Sequence, residues 1–99
     1  MPYFYSTEKP EIIEFYCDEG IVDQIVDWFG DDVIFEEANN KIKVTIKANQ
    51  SSIVYWLLQY IQYIEVIGPK KVKDKILEIL ETSYQRNKWW ENTCQNIRN

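Results

Sequence analysis

Histidine is absent from the 99-residue sequence, and glycine, proline and cysteine are scarce, with three, three and two residues respectively. Without histidine the chain has no imidazole that could serve as a general base, form a relay with a carboxylate or ligate a metal ion. The glycines at positions 20, 30 and 68 are too dispersed for a Gly-rich phosphate loop. Cys17 lies in a strand-like run and Cys94 in a polar tail, with no Cys-x-x-Cys pair, so we expect neither a disulfide framework nor a zinc site.

Acidic pairs at positions 18–19, 31–32 and 36–37 are the remaining candidates for catalysis or metal binding. Two adjacent carboxylates can bind a cation or act as an acid/base pair. Each pair is also explained as a helix cap, as loop residues or as exposed strand residues, and we favour that interpretation. Cys17 would lie on the inward side of a strand without a base, so we interpret it as a small core residue rather than a nucleophile. We therefore expect no catalytic residues, no metal site and no cofactor, and we predict that the chain is not an enzyme.

Long hydrophobic runs are also missing. The longest apolar stretches, such as residues 53–58, are far shorter than the ~20 residues that a membrane-spanning helix needs. The first five residues lack the basic region, apolar segment and cleavage site of a signal peptide. We expect a cytoplasmic protein that does not contact a membrane.

Charge is distributed unevenly along the chain, whose net charge is −5. Residues 1–40 contain eleven acids and one lysine, a net charge of −10, whereas residues 41–99 contain ten bases and five acids, a net charge of +5. DNA binding requires a basic face that displaces phosphate counterions, and neither half supplies one. We predict no direct DNA binding and interpret most of the charge as solvated surface, with charge-guided docking to a protein partner as the alternative.

Hydrophobic periodicity predicts four strands, over residues 11–17, 33–37, 41–47 and 64–67. It also predicts three helices: the first is capped by Asp18 and ended by Gly30, the second is capped by Asn49 or Ser51, and the third begins near Lys70. Asn39-Asn40 predicts a tight hairpin. The predicted inward stripes of the helices are Val22, Ile25, Val26 and Phe29; Ile53, Trp56, Leu57 and Tyr60; and Val72, Ile76, Ile79 and Leu80, with Ser83 or Tyr84.

This β-α-β-β-α-β-α order predicts an α+β fold: a ferredoxin-like βαββαβ antiparallel sheet with helices on one face, plus a C-terminal helix. The other face of the sheet would remain open. We divide the chain into a lead-in segment over residues 1–10, a ferredoxin-like domain over residues 11–84 and a C-terminal helical or flexible tail over residues 85–99.

Four segments between residues 44 and 84 form a recognisable series: the strand Val44–Lys47, the helix sequence Ser52–Tyr60 with its Trp-Leu-Leu motif at 56–58, the strand exit Ile64–Pro69 and an amphipathic helix to Tyr84. Together they resemble the C-terminal extension (WCX) domain of bacterial WYL-domain transcriptional regulators. The upstream strand, helix and hairpin occur in the same order, so the resemblance covers residues 11–84. The family usually has glycine where Ile61 stands here. A left-handed cap is costly for isoleucine, so we expect the helix to run on to Gln62 or Tyr63.

The resemblance implies a non-catalytic regulatory and assembly module that contributes to dimerisation and effector response. Its expected partners are a second copy of the chain or the WYL domain of the parent chain, with a small-molecule or nucleotide effector, while DNA reading would belong to another part of the regulator. The alternative is a small-molecule-sensing, ACT-like ferredoxin domain. The predicted interface residues are Ile12, Tyr16, Lys43, Thr45, Glu65 and Ile67 on the open sheet face, and Trp89 and Trp90 in the tail. Adjacent helical residues point about 100° apart, so at least one of the two tryptophans is expected to be exposed unless another element covers it.

Overall fold

The computed structural model describes the backbone of residues 9–98 and the side chains of residues 9–89. Within that range the chain forms four strands and three α-helices in the predicted order. Their bounds are β1 Glu11–Cys17, α1 Val22–Phe29, β2 Ile34–Ala38, β3 Lys41–Ala48, α2 Gln50–Gln59, β4 Ile64–Gly68 and α3 Lys70–Arg98. There are also three short 3-10 turns. Glu19–Ile21 precedes α1, Gly30–Asp32 follows α1, and Ile61–Tyr63 precedes β4.

The strands form one antiparallel sheet in the order β2-β3-β1-β4. β1 lies inside the sheet between β3 and β4, and Phe15 lies opposite Val44 on β3 and Val66 on β4. A bulge interrupts the β1–β4 pairing between Glu14 and Phe15, because Ile67 is an additional residue on β4. The α+β class, the antiparallel sheet and the C-terminal helix are therefore confirmed.

All three helices contribute to a core on one face of the sheet. Ile13, Phe15 and Cys17 alternate inward along β1, where they contact the helices. The helices supply mainly Ile25 of α1, four residues of α2, and Val72 and Ile76 of α3. Alternation with a period of two selects the inward side of each strand, so the residues between these positions form the opposite face. No charged or polar side chain is buried in the part of the chain that the structure describes.

Local turn chemistry agrees with the sequence at three positions. Gly30 ends α1 with φ +71°, a conformation that a side chain makes costly. Asn39 and Asn40 both have positive φ, 51° and 69°, which gives the two-residue hairpin between β2 and β3. The predicted caps differ, because neither Asp18 nor Asn49 makes a side-chain capping hydrogen bond at its helix start, and Ser51 lies inside α2.

The second helix does not run on to Gln62 or Tyr63 as expected, because Ile61 begins a separate 3-10 turn. α2 ends at Gln59, and the chain then forms the 3-10 turn Ile61–Tyr63 before β4 begins. Within the described residues, positive φ among non-glycine residues occurs only at the Asn39-Asn40 hairpin, so Ile61 avoids the left-handed conformation that a glycine would allow.

α3 is longer and more exposed than its sequence pattern predicted. Val72 and Ile76 are buried and Ile79 is partly buried, but Leu80, Ser83 and Tyr84 are exposed, so the prediction that they face inward was wrong. Val26 of α1 is likewise exposed. A 29-residue helix is about 44 Å long, and the sheet body covers only its first turns. The radius of gyration, 16.5 Å, exceeds the ~13 Å of a compact domain of this size, in agreement with a projecting helix.

Candidate interaction surfaces

The open face of the sheet carries the predicted interface residues of β1 and β3. Ile12, Tyr16, Lys43 and Thr45 alternate with buried residues, and they therefore lie on the side away from the helices. Tyr16 is in register with Lys43 on one side and with Glu65 of β4 on the other, so these three residues form one row across the sheet. The remaining prediction, Ile67, is half-buried at the β4 bulge.

Ion pairs connect neighbouring strands at the centre of the open face. Lys43 Nζ lies 3.2 Å from Glu14 Oε2, and Lys41 Nζ lies 3.5 Å from Glu65 Oε2. The Lys41 ammonium also lies 5.6 Å from the centroid of the Tyr16 ring, in the range of a cation–π contact. The hydrogen bond from Lys43 to the Glu14 carboxylate, and then the charge of that carboxylate, raises the pKa of Lys43. These exposed pairs order the side chains but contribute little net stability.

Apolar side chains flank this charged centre. Ile12 on β1 is 63% exposed, and Ile34 on β2 is also exposed. Thr45 lies between the two strands, opposite Glu14 and Ile34. The open face therefore combines exposed apolar groups with positioned charges. An exposed apolar surface of this kind is typical of protein–protein contact, in which charges fix the orientation of the partner.

The projecting part of α3 forms a second exposed surface. Tyr84 and Trp89 are 57% and 69% exposed, and Leu77 and Leu80 are exposed beside β4. Trp89 thus satisfies the expectation that at least one of the two adjacent tryptophans is exposed. The side chain of Trp90 lies outside the described residues, as does the lead-in segment over residues 1–8. An exposed tryptophan is a frequent anchor of protein interfaces.

Sequence reasoning missed a third exposed surface, formed by α1 and β2. Trp28 is 64% exposed, and Phe35 is exposed on the edge strand. A signal for Trp28 was present, since it falls off the stripe that buries Ile25 and Phe29. The exposure of Phe35 could not be predicted from the sequence. The alternation of Phe35 with Ile34 assigns the two side chains to opposite faces of the sheet, but it does not show whether α1 covers the face that carries Phe35.

Cys17 is buried in the core, at the position expected for a small apolar residue. Its removal from water, and then the negative charge of Asp18, raises the pKa of the thiol to about 11. The thiol is therefore protonated at neutral pH, which makes it a poor nucleophile. No group of three or more potential metal-ligating side chains occurs among the described residues, and no helix in that range is long and apolar enough to cross a membrane.

Clefts beside the helices are modest in size. One between α2 and α3, lined by residues such as Val54, Tyr55 and Ile79, has a volume of about 240 Å³. Another, between α3 and β4, has a volume of about 250 Å³ and is lined mainly by apolar side chains. Both are smaller than the ~300–1,000 Å³ of typical small-molecule sites.

Comparison with known protein families matches residues 12–83 to the WCX domain. The matched region begins in β1 and ends at Ser83 within α3, so it includes all of the sheet except Glu11, together with the buried turns of all three helices. No curated protein sequence matches the chain significantly. Because the match covers most of the 99 residues, the chain belongs to the WCX domain family.

Proposed function

We propose that this chain is a non-catalytic regulatory and assembly module, the C-terminal domain of a WYL-type bacterial transcriptional regulator acting in the cytoplasm. In that regulator it contributes to dimerisation and to the response to an effector. The observation that carries this proposal is the WCX family match over residues 12–83. WCX domains are associated with regulators rather than with a known catalytic activity.

We also propose that the body of the domain is ferredoxin-like. Its first six elements follow the βαββαβ order of the split βαβ arrangement. The antiparallel order β2-β3-β1-β4, with the core on one face only, supports this assignment. Such a body has a free sheet face available for a partner.

Two surfaces are assigned to assembly: the open face around Tyr16 and the projecting part of α3 around Trp89. Tyr16 lies in the centre of a row of ion-paired residues, so a partner would meet an aromatic ring among charges of fixed position. Trp89 would act as an anchor at a distance from the sheet. The expected partner is a second copy of this chain or the WYL domain of the parent chain.

The first test is sedimentation of the chain over a wide concentration range. We expect a reversible dimer that Tyr16→Glu and Trp89→Ala each weaken by about tenfold or more, because interface aromatic residues often contribute ~2 kcal/mol or more. Tyr55→Glu is the matched control, since Tyr55 is 71% exposed on α2, on the helix side of the sheet, and should leave the dimer unchanged.

If the chain remains monomeric at high concentration, the next test is its binding to the WYL domain of the parent regulator, measured by calorimetric titration. The proposed surfaces are wrong if Tyr16→Glu and Trp89→Ala leave both self-association and WYL-domain binding unchanged.

A further inference from the structure

The outer edge of β2 exposes backbone groups that can pair with another strand. β2 is an edge strand that pairs with β3, and its residues are exposed except for the half-buried Ala38. Ala38 and Lys41 flank the two-residue turn and form the first pair of the ladder. In an antiparallel ladder, alternate residues direct their N–H and C=O groups toward the neighbouring strand. Counting from Ala38, the backbone groups of Phe35 and Glu37 point away from β3.

A groove lies beside this edge on the helix side of the sheet. Phe35 and Glu37 are in register with Val44 and Ile42, which places their side chains on the inward side. α1 has only eight residues, and it leaves the inward side of β2 uncovered. The groove has a volume of about 720 Å³, with Val22, Phe35 and Ile42 as its apolar lining.

Carboxylates give this edge a negative charge. Glu19 and Glu37 line the groove, and neither has an ion pair within the described residues. Lys41 also lines the groove, but its ammonium is ion-paired with Glu65. Glu36 lies on the opposite side of β2 and faces Lys43, whose ammonium is already paired with Glu14. The 3-10 turn Gly30–Asp32 adds two more exposed acids just before β2. An added strand would therefore meet acidic side chains on both of its faces.

The same charges disfavour a second copy of the chain as the occupant. Two β2 strands paired about a two-fold axis through Glu36 would place the two Glu36 side chains opposite each other, with each Glu37 beside them. Like charges directly opposite in a sheet destabilise the pairing. Acidic residues on an edge strand are a known means of preventing such self-association.

We propose that the β2 edge binds an extended, basic polypeptide segment by strand addition, with backbone hydrogen bonds to Phe35 and Glu37. The charge and the apolar lining define the sequence of that segment. A strand antiparallel to β2 would place two basic residues opposite Glu37 and Glu36, followed by two apolar residues opposite Phe35 and Ile34. In strand addition, backbone hydrogen bonds supply the affinity and alternate side chains supply the specificity. The free backbone groups and the acidic and apolar side chains of β2 would therefore both contribute to binding.

This site lies at the β2 edge and includes neither Tyr16 nor any residue of α3, so it does not depend on the regulatory function proposed above. The two can fail separately, since sedimentation of the Tyr16 and Trp89 variants does not report on β2.

Nuclear magnetic resonance titration of the full chain with a blocked hexapeptide tests the proposal. The probe is Thr-Lys-Lys-Val-Ile-Thr, acetylated and amidated. We expect saturable shifts of the Phe35 and Glu37 amides and slower hydrogen exchange there, weakened by added salt. The peptide Thr-Glu-Glu-Val-Ile-Thr should bind at least about tenfold more weakly, which corresponds to ~1.4 kcal/mol. The lysine peptide N-methylated at its first lysine and its valine should not bind, because it cannot donate to the edge.

The double variant Glu36→Lys/Glu37→Lys should weaken binding of the lysine peptide by about tenfold or more. The matched control is Glu78→Lys/Glu81→Lys, which changes the net charge equally on exposed residues of α3 and should bind as the unaltered chain does. The proposal is overturned if the unaltered chain binds both hexapeptides equally, binds neither at millimolar concentration, or shifts at residues away from β2. The peptide comparisons use only the unaltered chain, so they test the proposal even if the double variant does not fold.

Discussion

Tryptophan occupies two contrasting environments in this domain. Trp56 is buried between Phe15, Phe29 and Tyr60, with ring centroids 6.0, 5.0 and 4.8 Å away respectively. Its indole Nε1 is buried without a hydrogen-bond acceptor among the described residues, a cost that the surrounding aromatic contacts offset. Trp28, by contrast, is largely exposed on α1.

Substitution of these two residues should separate core packing from surface exposure. Trp56→Ala removes the centre of the aromatic cluster, so we expect it to lower the free energy of unfolding by about 3–5 kcal/mol. Trp28→Ala should change it by less than about 0.5 kcal/mol. Urea denaturation followed by circular dichroism measures both. Equal losses would contradict the assignment of Trp56 to the core.

Cys17 links the stability of the domain to alkaline pH. Its folded pKa is raised to about 11, from an ordinary value of 9.0, so the folded state retains the thiol proton where the unfolded chain has lost it. The unfolded state then binds fewer protons, and stability falls as pH rises from about 9 to about 11. We expect Cys17→Ala to be less stable at pH 8 because it leaves a small cavity, but to lose less stability between pH 8 and pH 11. Denaturation at both pH values measures this difference, and parallel pH profiles for the two proteins would contradict it.

At the scale of elements, α3 joins two environments within one continuous helix. Its first turns pack on the sheet through Val72 and Ile76, and Lys71 forms an ion pair with Glu11 of β1. From Leu80 to Trp89 the side chains are exposed, and local bonds such as Asn87 Nδ2 to the Ser83 carbonyl and Gln85 Nε2 to Glu81 occur within the helix. Helices stabilised mainly by local bonds are marginal in water.

Hydrogen exchange along α3 should reveal the difference between its packed first turns and its exposed later part. In dilute, monomeric samples we expect amides of residues 72–79 to exchange more than about tenfold more slowly than those of residues 84–94, because exchange near a weakly packed end needs only local opening. Amides of α2 are the control, since that helix is buried through four residues. Uniform protection along α3 would show that the projecting part is stabilised by contacts with the body.

At the scale of the whole molecule, the acidic and basic halves of the chain are joined through the sheet. β1 belongs to the acidic half, and it pairs with β3 and β4 from the basic half. The ion pairs Glu14–Lys43 and Glu11–Lys71 both connect the two halves. β2 also pairs with β3, but it has no strand on its outer side, so Glu36 and Glu37 form a local negative edge in three dimensions.

The sequence by itself determined the elements whose signals are local. Alternation along β1 and β3, the positive-φ pair Asn39-Asn40 and the terminating Gly30 are short-range features that depend on side-chain volume and backbone strain. The motif around Trp56 also sufficed to suggest the family that the comparison then matched. The outward positions of Ile12 and Tyr16 followed from the same alternation.

Only the tertiary structure decided how far each helix is covered. Leu80 and Tyr84 continue the apolar spacing of Val72 and Ile76, and Val26 continues that of Ile25, yet all three are exposed. Periodicity defines a shared face, but burial depends on whether another element reaches that face. β4 is too short to cover the later turns of α3, so α3 projects from the sheet. α1 is too short to cover the inward side of β2, so the groove beside Phe35 remains open.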